Sequence, residues 1–211
     1  MHGIIHYWAF LAAGILLNLT PGNDTMYTLS QSIARGRQAG IYSALGIGTG
    51  TIIHTLLAAF GLSLIIAQSV VLFTIIKYAG AAYLIYLGAT MLKDKTIVTF
   101  TGEQIQPESG HAKTYRDAII TNVFNPKVAL FFMAFLPQFI DPSSRGNIVP
   151  FLALGFTFVI TGTVWCLILA TFASGLAARL KSHRTFPAIL NRTAGTILIG
   201  LGAKLAFTRL K

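Results

Sequence analysis

Six long apolar stretches dominate this sequence and limit the fold that it can adopt. A transmembrane helix needs roughly 20 predominantly apolar residues to cross a bilayer. Only 10% of the residues are charged, against about 25% in a typical soluble domain. The sequence therefore predicts an all-α integral membrane protein with six transmembrane helices in one domain, residues 1–211. The predicted spans are about 4–20, 41–66, 70–92, 117–137, 148–176 and 189–208.

The distribution of positive charge predicts how these spans are oriented. With the N-terminus outside, ten of the 16 Lys and Arg residues fall in inner segments and three in outer segments. The inner cations are Arg35, Arg37, Lys93, Lys95, Lys113, Arg116, Arg179, Lys181, Arg184 and Arg192. The positive-inside rule then places both termini outside. Because the charge lies between spans, the formal net charge of +10 does not indicate a nucleic-acid partner. The first stretch has neither a basic segment before it nor a cleavage site after it, so it is predicted to be a retained span.

The two halves of the chain resemble each other in the same order. The matching segments are 18–22 with 122–126, 44–46 with 153–155, and 84–85 with 198–199. We predict one repeat over 1–92, a polar cytoplasmic loop over 93–116 and a second repeat over 117–211. Each repeat has three spans, so the second enters the membrane from the opposite side. Such inverted repeats occur in many secondary transporters.

Proline is predicted to break the first and the fourth span. Proline removes a helical hydrogen bond, and unpaired backbone in a bilayer persists only where it faces protein or a water-filled cavity. Thr20 and Asn125 are each predicted to cap a renewed helix whose first residue is a proline, Pro21 or Pro126. For Pro21 alone, a simple end of the first span is an equal alternative. The duplicated pattern favours a break.

The renewed helices are predicted to run from 22 to about 34 and from 127 to about 136. Their N-termini would present free N–H groups and partial positive charge in mid-membrane, and the preceding half-helices would present carbonyl oxygens. A gap with both kinds of group suits a zwitterion, and an amino acid is the simplest one. The predicted substrate-binding residues are Asn18, Thr20, Pro21, Gly22, Asp24, Asn122, Asn125, Pro126 and Lys127.

Three ionisable residues are candidates for individual roles. Asp24 would bind the substrate ammonium or carry a proton; the alternative is a helix N-terminal charge at the interface. Lys127 lies about 15 Å into its span at 1.5 Å per residue, where snorkelling is difficult, so it is predicted to face the interior and bind a carboxylate. His54 is the second proton-coupling candidate, although a lone histidine in a span is more often a core residue.

The sequence contains no motif typical of an enzyme or a metalloprotein. Cys166 is the single cysteine, so an intramolecular disulfide or redox pair is excluded. No His, Cys, Asp and Glu cluster has the composition of a metal site, and there is no Walker-type phosphate loop. Neither an enzyme activity nor a cofactor is predicted.

Five segments together resemble one family, the lysine exporter (LysE) superfamily, and within it the homoserine/threonine resistance (RhtB) group. They are NLTPGNDTMYTLSQSIARGRQAG (18–40), GIGTGTIIHTLLAAFGL (46–62), IKYAGAAYLIYLGATML (76–92), TNVFNPKVALFFMAFLPQFI (121–140) and NRTAGTILIGLGAKLA (191–206). The resemblance implies a six-helix exporter of amino acids or small derivatives in a bacterial inner membrane, driven by the proton motive force. Asn23 stands where the family often has a second proline.

Two other functions stay open on the sequence alone. A metal-ion or redox transporter of the same superfamily would need several intramembrane carboxylates or paired thiols, and only Asp24 and Cys166 are available. A passive channel would need no energy coupling. The glycine-rich helix faces permit a homodimer.

Overall fold

A computed structural model describes residues 3–20, 22–64, 70–93, 110–144, 146–182 and 185–207. In this part of the chain the regular structure is helical, and a single isolated bridge joins Ile4 to Ile140. The α-helices are α1 (Tyr7–Leu19), α2 (Asn23–Leu57), α3 (Val70–Lys93), α4 (His111–Val123), α5 (Pro126–Leu130), α6 (Ile148–Ser182) and α7 (Thr185–Phe207). Two π-helical turns occupy Ala58–Leu62 and Phe131–Phe135, and two 3-10 turns occupy Leu136–Phe139 and Pro142–Ser144.

Length and composition identify the helices that can cross a bilayer. Within the described residues, Asn23–Leu62 and Ile148–Phe172 are each long and apolar enough, and the bent pair His111–Val123 and Pro126–Phe139 makes a third. The apolar helix Tyr7–Leu19 is shorter. These helices support a membrane-embedded protein, while six spans in two inverted repeats stay a prediction.

The protein surface has the character that lipid requires. Large apolar side chains are exposed along several helices, including Trp8 at 76%, Leu57 at 61% and Phe172 at 64%. In water such a surface would favour aggregation or association. In a bilayer it is the expected exterior.

The first break is present, but its capping differs from the prediction. α1 ends at Leu19 and α2 begins at Asn23, while Pro21 lies outside the described residues. Thr20 does not cap the renewed helix. Its hydroxyl donates to the Leu16 carbonyl, 2.7 Å away, because threonine in a helical turn readily bonds the carbonyl four residues back. The N-cap of α2 is Gly22, with extended backbone and no side-chain cap.

The second break confirms the predicted cap and corrects the helix that follows. α4 and α5 are bent by 47°, and the Asn125 side chain accepts a hydrogen bond from the Lys127 N–H at 3.0 Å. Pro126 occupies the first turn of α5. The renewed helix predicted to about residue 136 is present as a helical segment over Pro126–Phe139, but only α5 is α-helical and the rest is a π turn followed by a 3-10 turn. The 3-10 turn contains Pro137, which has no N–H for a regular helical ladder.

Two predicted boundaries fare differently. The helix that starts at the first break is interrupted at Gly36 (φ 85, ψ 173), close to its predicted end near residue 34, and a second helical stretch of α2 then runs to Leu57. That backbone region is open essentially to glycine alone. α4 begins at His111, inside the predicted loop 93–116, whose residues 94–109 lie outside the described residues.

The helices pack around the two breaks, although Phe124 and Pro126 at the second break are exposed. α2 packs against α4 and α6, and α3 packs against α7. An aromatic cluster joins α1, the segment that follows α5, and α6. Its rings belong to Phe10, Phe131, Phe132, Phe135, Phe139 and Phe158.

Polar contacts join the first part of α2 to the start of α4. The Tyr27 hydroxyl donates to the Thr114 carbonyl at 3.1 Å. The Arg35 guanidinium donates to the Thr114 hydroxyl at 2.6 Å. The helices around the breaks are therefore joined by an aromatic cluster and by a separate set of polar contacts.

Candidate functional site

Lys127 joins the second break to the first. Its ammonium donates to the carbonyls of Leu17 at 3.2 Å and Thr20 at 3.1 Å. Carbonyls in the last turn of a helix lack helical partners and carry partial negative charge. The cation that follows Pro126 therefore caps the C-terminal end of α1.

Gly22 makes this approach of Lys127 possible. A Cβ atom built at Gly22 would lie 2.9 Å from the Lys127 Nζ and 3.3 Å from its Cε. A side chain at this position would therefore push the ammonium away from the α1 carbonyls. Glycine at the first break therefore lets Lys127 contact the α1 carbonyls without displacement.

Asn122 makes the other connection between the two breaks. It is fully buried, and its Nδ2 donates to Asp24 Oδ2 at 2.9 Å. Its Oδ1 accepts from the Thr51 hydroxyl at 3.3 Å, and its backbone carbonyl accepts from His54 Nε2 at 3.2 Å. One asparagine thus links Asp24 to His54 through hydrogen bonds.

Asp24 lies in the first turn of α2, where the helix dipole favours an anion. Its Oδ1 is buried and has no hydrogen-bond partner among the residues that the structure describes. Asp24 and Lys127, both within the described residues, form no direct ion pair. The site therefore holds an anion and a cation that each keep bonding capacity.

A small cavity separates the two charges. About 20 Å³ of it is open to the centre of a water-sized sphere, and one water needs roughly 10–15 Å³ by this measure. The cavity is lined by Asn18, Asp24, Thr25, Ile47, Thr51, Lys127, Val128, Phe158, Gly162, Trp165 and Cys166. It has room for about one water, so any organic solute can enter only if the helices move apart.

The predicted site residues take different places around this cavity. Three of them line it directly, namely Asn18, Asp24 and Lys127. Four stand behind these: Thr20 and Gly22 against the Lys127 side chain, Asn122 on Asp24, and Asn125 as the cap of α5. Pro126 starts α5 and is exposed. The predicted site residue Pro21 lies outside the described residues.

His54 does not line the cavity, although a hydrogen bond connects it to Asn122. It is buried at 7% exposure, and its ring stacks on Phe132 at 5.8 Å between centroids. It borders a separate apolar groove formed with Leu57, Phe132 and neighbouring residues. Its contacts fit a core histidine that is linked to the site through Asn122.

The sequence interpretation missed the wall that α6 contributes. Phe158, Trp165 and Cys166 all line the cavity, yet α6 has no proline break to draw attention to it. One signal was available. Tryptophan in membrane helices is enriched at the interfaces, and Trp165 lies near the middle of its helix.

The side chains at the site bear on the metal-transport and redox-transport alternatives. Cys166 is a free, buried cysteine. Within the described residues, no group of three or more His, Cys, Asp or Glu side chains is arranged to hold a metal ion. The charged groups at the cavity wall are Asp24 and Lys127.

The fold and the site together define a helical membrane protein in which interrupted helices gather charged and amide groups around an enclosed cavity. The chain belongs to the LysE type translocator family, whose model matches residues 15–209. This confirms the family resemblance found in the sequence.

Curated relatives match the chain over nearly its whole length. An uncharacterized membrane protein of Vibrio cholerae is 34% identical over 96% of this chain and 97% of its own length. The uncharacterized membrane protein YrhP of Bacillus subtilis is 32% identical over 97% and 98%. The homoserine/homoserine lactone efflux protein of Salmonella typhimurium is 32% identical over 96% and 97%. No solved structure matches the chain.

Proposed function

We propose that this protein is a secondary active exporter of amino acids or small amino acid derivatives. The observation that carries the proposal is the arrangement of Asp24 and Lys127, which face one cavity where two broken helices meet and do not neutralise each other directly. The family membership and the printed function of the Salmonella relative support the substrate class. We propose further that the protein lies in a bacterial inner membrane, as the family resemblance implies, with both termini outside, as the distribution of Lys and Arg between the spans predicts.

The two charges divide the recognition of a zwitterion between them. The unpartnered Oδ1 of Asp24 accepts a hydrogen bond from the substrate ammonium. A lysine ammonium has three donors, and the carbonyls of Leu17 and Thr20 occupy two of them. The third remains for the substrate carboxylate, while Asn18 and Thr25 border the bound molecule.

Energy coupling runs through Asp24 in this proposal. The carboxylate binds either a substrate ammonium or a proton, so the two alternate at one group. Asn122 holds Asp24 through its side-chain amide and His54 through its backbone carbonyl, so it positions both proton-coupling candidates without carrying a proton between them. Repeats over 1–92 and 117–211 would then open the cavity to each side of the membrane in turn.

Transport by purified protein in inside-out proteoliposomes tests the proposal. The lumen is made acidic, and a panel of amino acids that includes homoserine and homoserine lactone is offered outside. The expected result is accumulation of at least one panel member against its gradient, abolished by a protonophore. Uptake that only equilibrates and is insensitive to the protonophore would identify a channel, and no uptake of any member would overturn the proposal.

Asp24→Asn is the matching mutation. It keeps the side-chain shape but removes the charge that binds the ammonium and the site that binds the proton. We expect the export rate to fall by about 100-fold or more, since a hydrogen bond to a charged group contributes about 1.5–3 kcal/mol and coupling is lost as well. Asp117→Asn is the control, because Asp117 lies outside the cavity and pairs with the exposed Arg116. Wild-type export by Asp24→Asn would remove Asp24 from the mechanism.

A further inference from the structure

Trp165 brings an unused hydrogen-bond donor to the cavity. Its side chain lines the same cavity as Asp24 and Lys127. Its indole Nε1 is buried and has no hydrogen-bond partner within the part of the chain that the structure describes. An indole N–H can only donate, and a buried donor without a partner is costly and calls for an explanation.

The unused acceptor of the same cavity complements this donor. Asp24 Oδ1 is likewise buried and unpartnered among the described residues. Asn18 Nδ2 donates to Thr161 at 3.1 Å, and the one Thr51 hydroxyl proton is shared between the Ile47 carbonyl at 2.9 Å and Asn122 Oδ1 at 3.3 Å. Asn125 Nδ2, which stands behind the cavity, is a second buried donor without a partner among the described residues. Two residues that line one small cavity thus each carry a buried polar atom without a partner among the described residues, the acceptor Asp24 Oδ1 and the neutral donor Trp165 Nε1.

Trp165 lies between the small cavity and a neighbouring groove. Together with Asn18 it lines both this cavity and a larger apolar groove of about 270 Å³ between α1 and α6. The ring packs beside a small core cluster of Leu29 and Leu169, which limits its freedom to turn. The two neighbouring spaces are therefore separated in part by the indole.

We propose that Trp165 is a substrate-binding residue whose indole N–H donates to the carboxylate of the exported amino acid. The inference rests on the proposed function and adds a specificity determinant from α6. Lys127 supplies charge to the carboxylate, and Trp165 supplies a directed neutral donor. Discrimination between an amino acid and the amine that lacks its carboxylate then depends on Trp165 as well as on Lys127.

Trp165→Phe tests this directly, because it keeps an aromatic ring and deletes the N–H. Export of the panel member with the highest rate is measured, for example homoserine, together with inhibition by the amine of the same side chain, 3-aminopropan-1-ol. We expect KM for the amino acid to rise about tenfold, equivalent to about 1.4 kcal/mol, while the inhibition constant of the amine changes less than about twofold. A purely structural role for the ring would shift both constants alike, and that result would overturn the proposal.

Trp8→Phe is the control and also provides a second measurement. Trp8 is the other of the two tryptophans and is 76% exposed, so its variant should export normally. In that variant Trp165 is the only indole, and its fluorescence should shift as the amino acid saturates the protein, with a midpoint near KM. Unchanged fluorescence at saturating substrate, or a wild-type KM in Trp165→Phe, would overturn the role of Trp165 and leave the exporter intact. Failure of the wild-type protein to export any panel member would overturn both.

Discussion

The two helix breaks use similar sequences but are held in different ways. The second break is capped locally, because Asn125 bonds the N–H of Lys127 and Pro126 starts the new helix. The first break has no side-chain cap on its new helix. Its end groups are instead contacted by Lys127 and Asn122 from the second break.

The two breaks therefore differ in which groups stabilise them. The first break supplies carbonyls and a carboxylate, and the second supplies an ammonium and an amide. A locally capped break can form with little help, whereas the first depends on groups that are distant in sequence. Removing a connecting residue should therefore cost more than removing the local cap.

Lys127→Met should give the largest effect. It leaves the carbonyls of Leu17 and Thr20 without their cation and removes the positive charge of the cavity. We expect a loss of about 3 kcal/mol in unfolding free energy and export below detection, measured by thermal unfolding in detergent and by proteoliposome transport. Lys113→Met is the control, since Lys113 is exposed at the start of α4. Equal stability of the two variants would show that the first break does not depend on Lys127.

Asn122→Ala should give an intermediate effect. It deletes the hydrogen bonds to Asp24 and Thr51, and side-chain hydrogen bonds between membrane helices contribute about 0.6–2 kcal/mol each. We expect about 2 kcal/mol of destabilisation and a clear reduction of export. Thr121→Ala serves as the comparison, because the Thr121 hydroxyl bonds only one turn back, to the Asp117 carbonyl. If Thr121→Ala destabilises the protein as much as Asn122→Ala does, Asn122 is not a specific link between the two breaks.

Asn125→Ala should give the smallest effect of the three. Loss of a side-chain cap costs about 1 kcal/mol, and serine caps almost as well as asparagine, so Asn125→Ser should retain most of the stability. The comparison of Ala with Ser in thermal unfolding isolates the cap. If Asn125→Ala proves more harmful than Lys127→Met, the proposed asymmetry between the breaks is wrong.

The sequence predicted the second break better than the first for a physical reason. An asparagine before a proline is a local signal, and the cap that it forms involves residues two apart. Thr20 precedes a proline in the same way, but its hydroxyl bonds the preceding turn. The choice between these two bonds depends on how the chain leaves α1, which the local sequence does not determine.

The site could be predicted only where charge or a helix breaker marked it. Asp24, Asn18 and Lys127 were identified in this way and lie together at the cavity. Trp165 and Phe158 come from an unbroken helix, and their position depends on how α6 packs against α2 and α1. The contact between Arg35 and Thr114 likewise joins residues whose proximity follows from packing alone.

Gly36 separates the first part of α2 from the rest of the helix. From Asp24 to Arg35 the helix forms a rod about 16 Å long at 1.5 Å per residue, and its backbone joins the rest of α2 through one residue of glycine-only geometry. Arg35, at the far end of this rod, is tied to Thr114. Because Arg35 is adjacent to Gly36 and Asp24 lies at the other end of the rod, a rotation about Gly36 would displace Asp24 much more than Arg35.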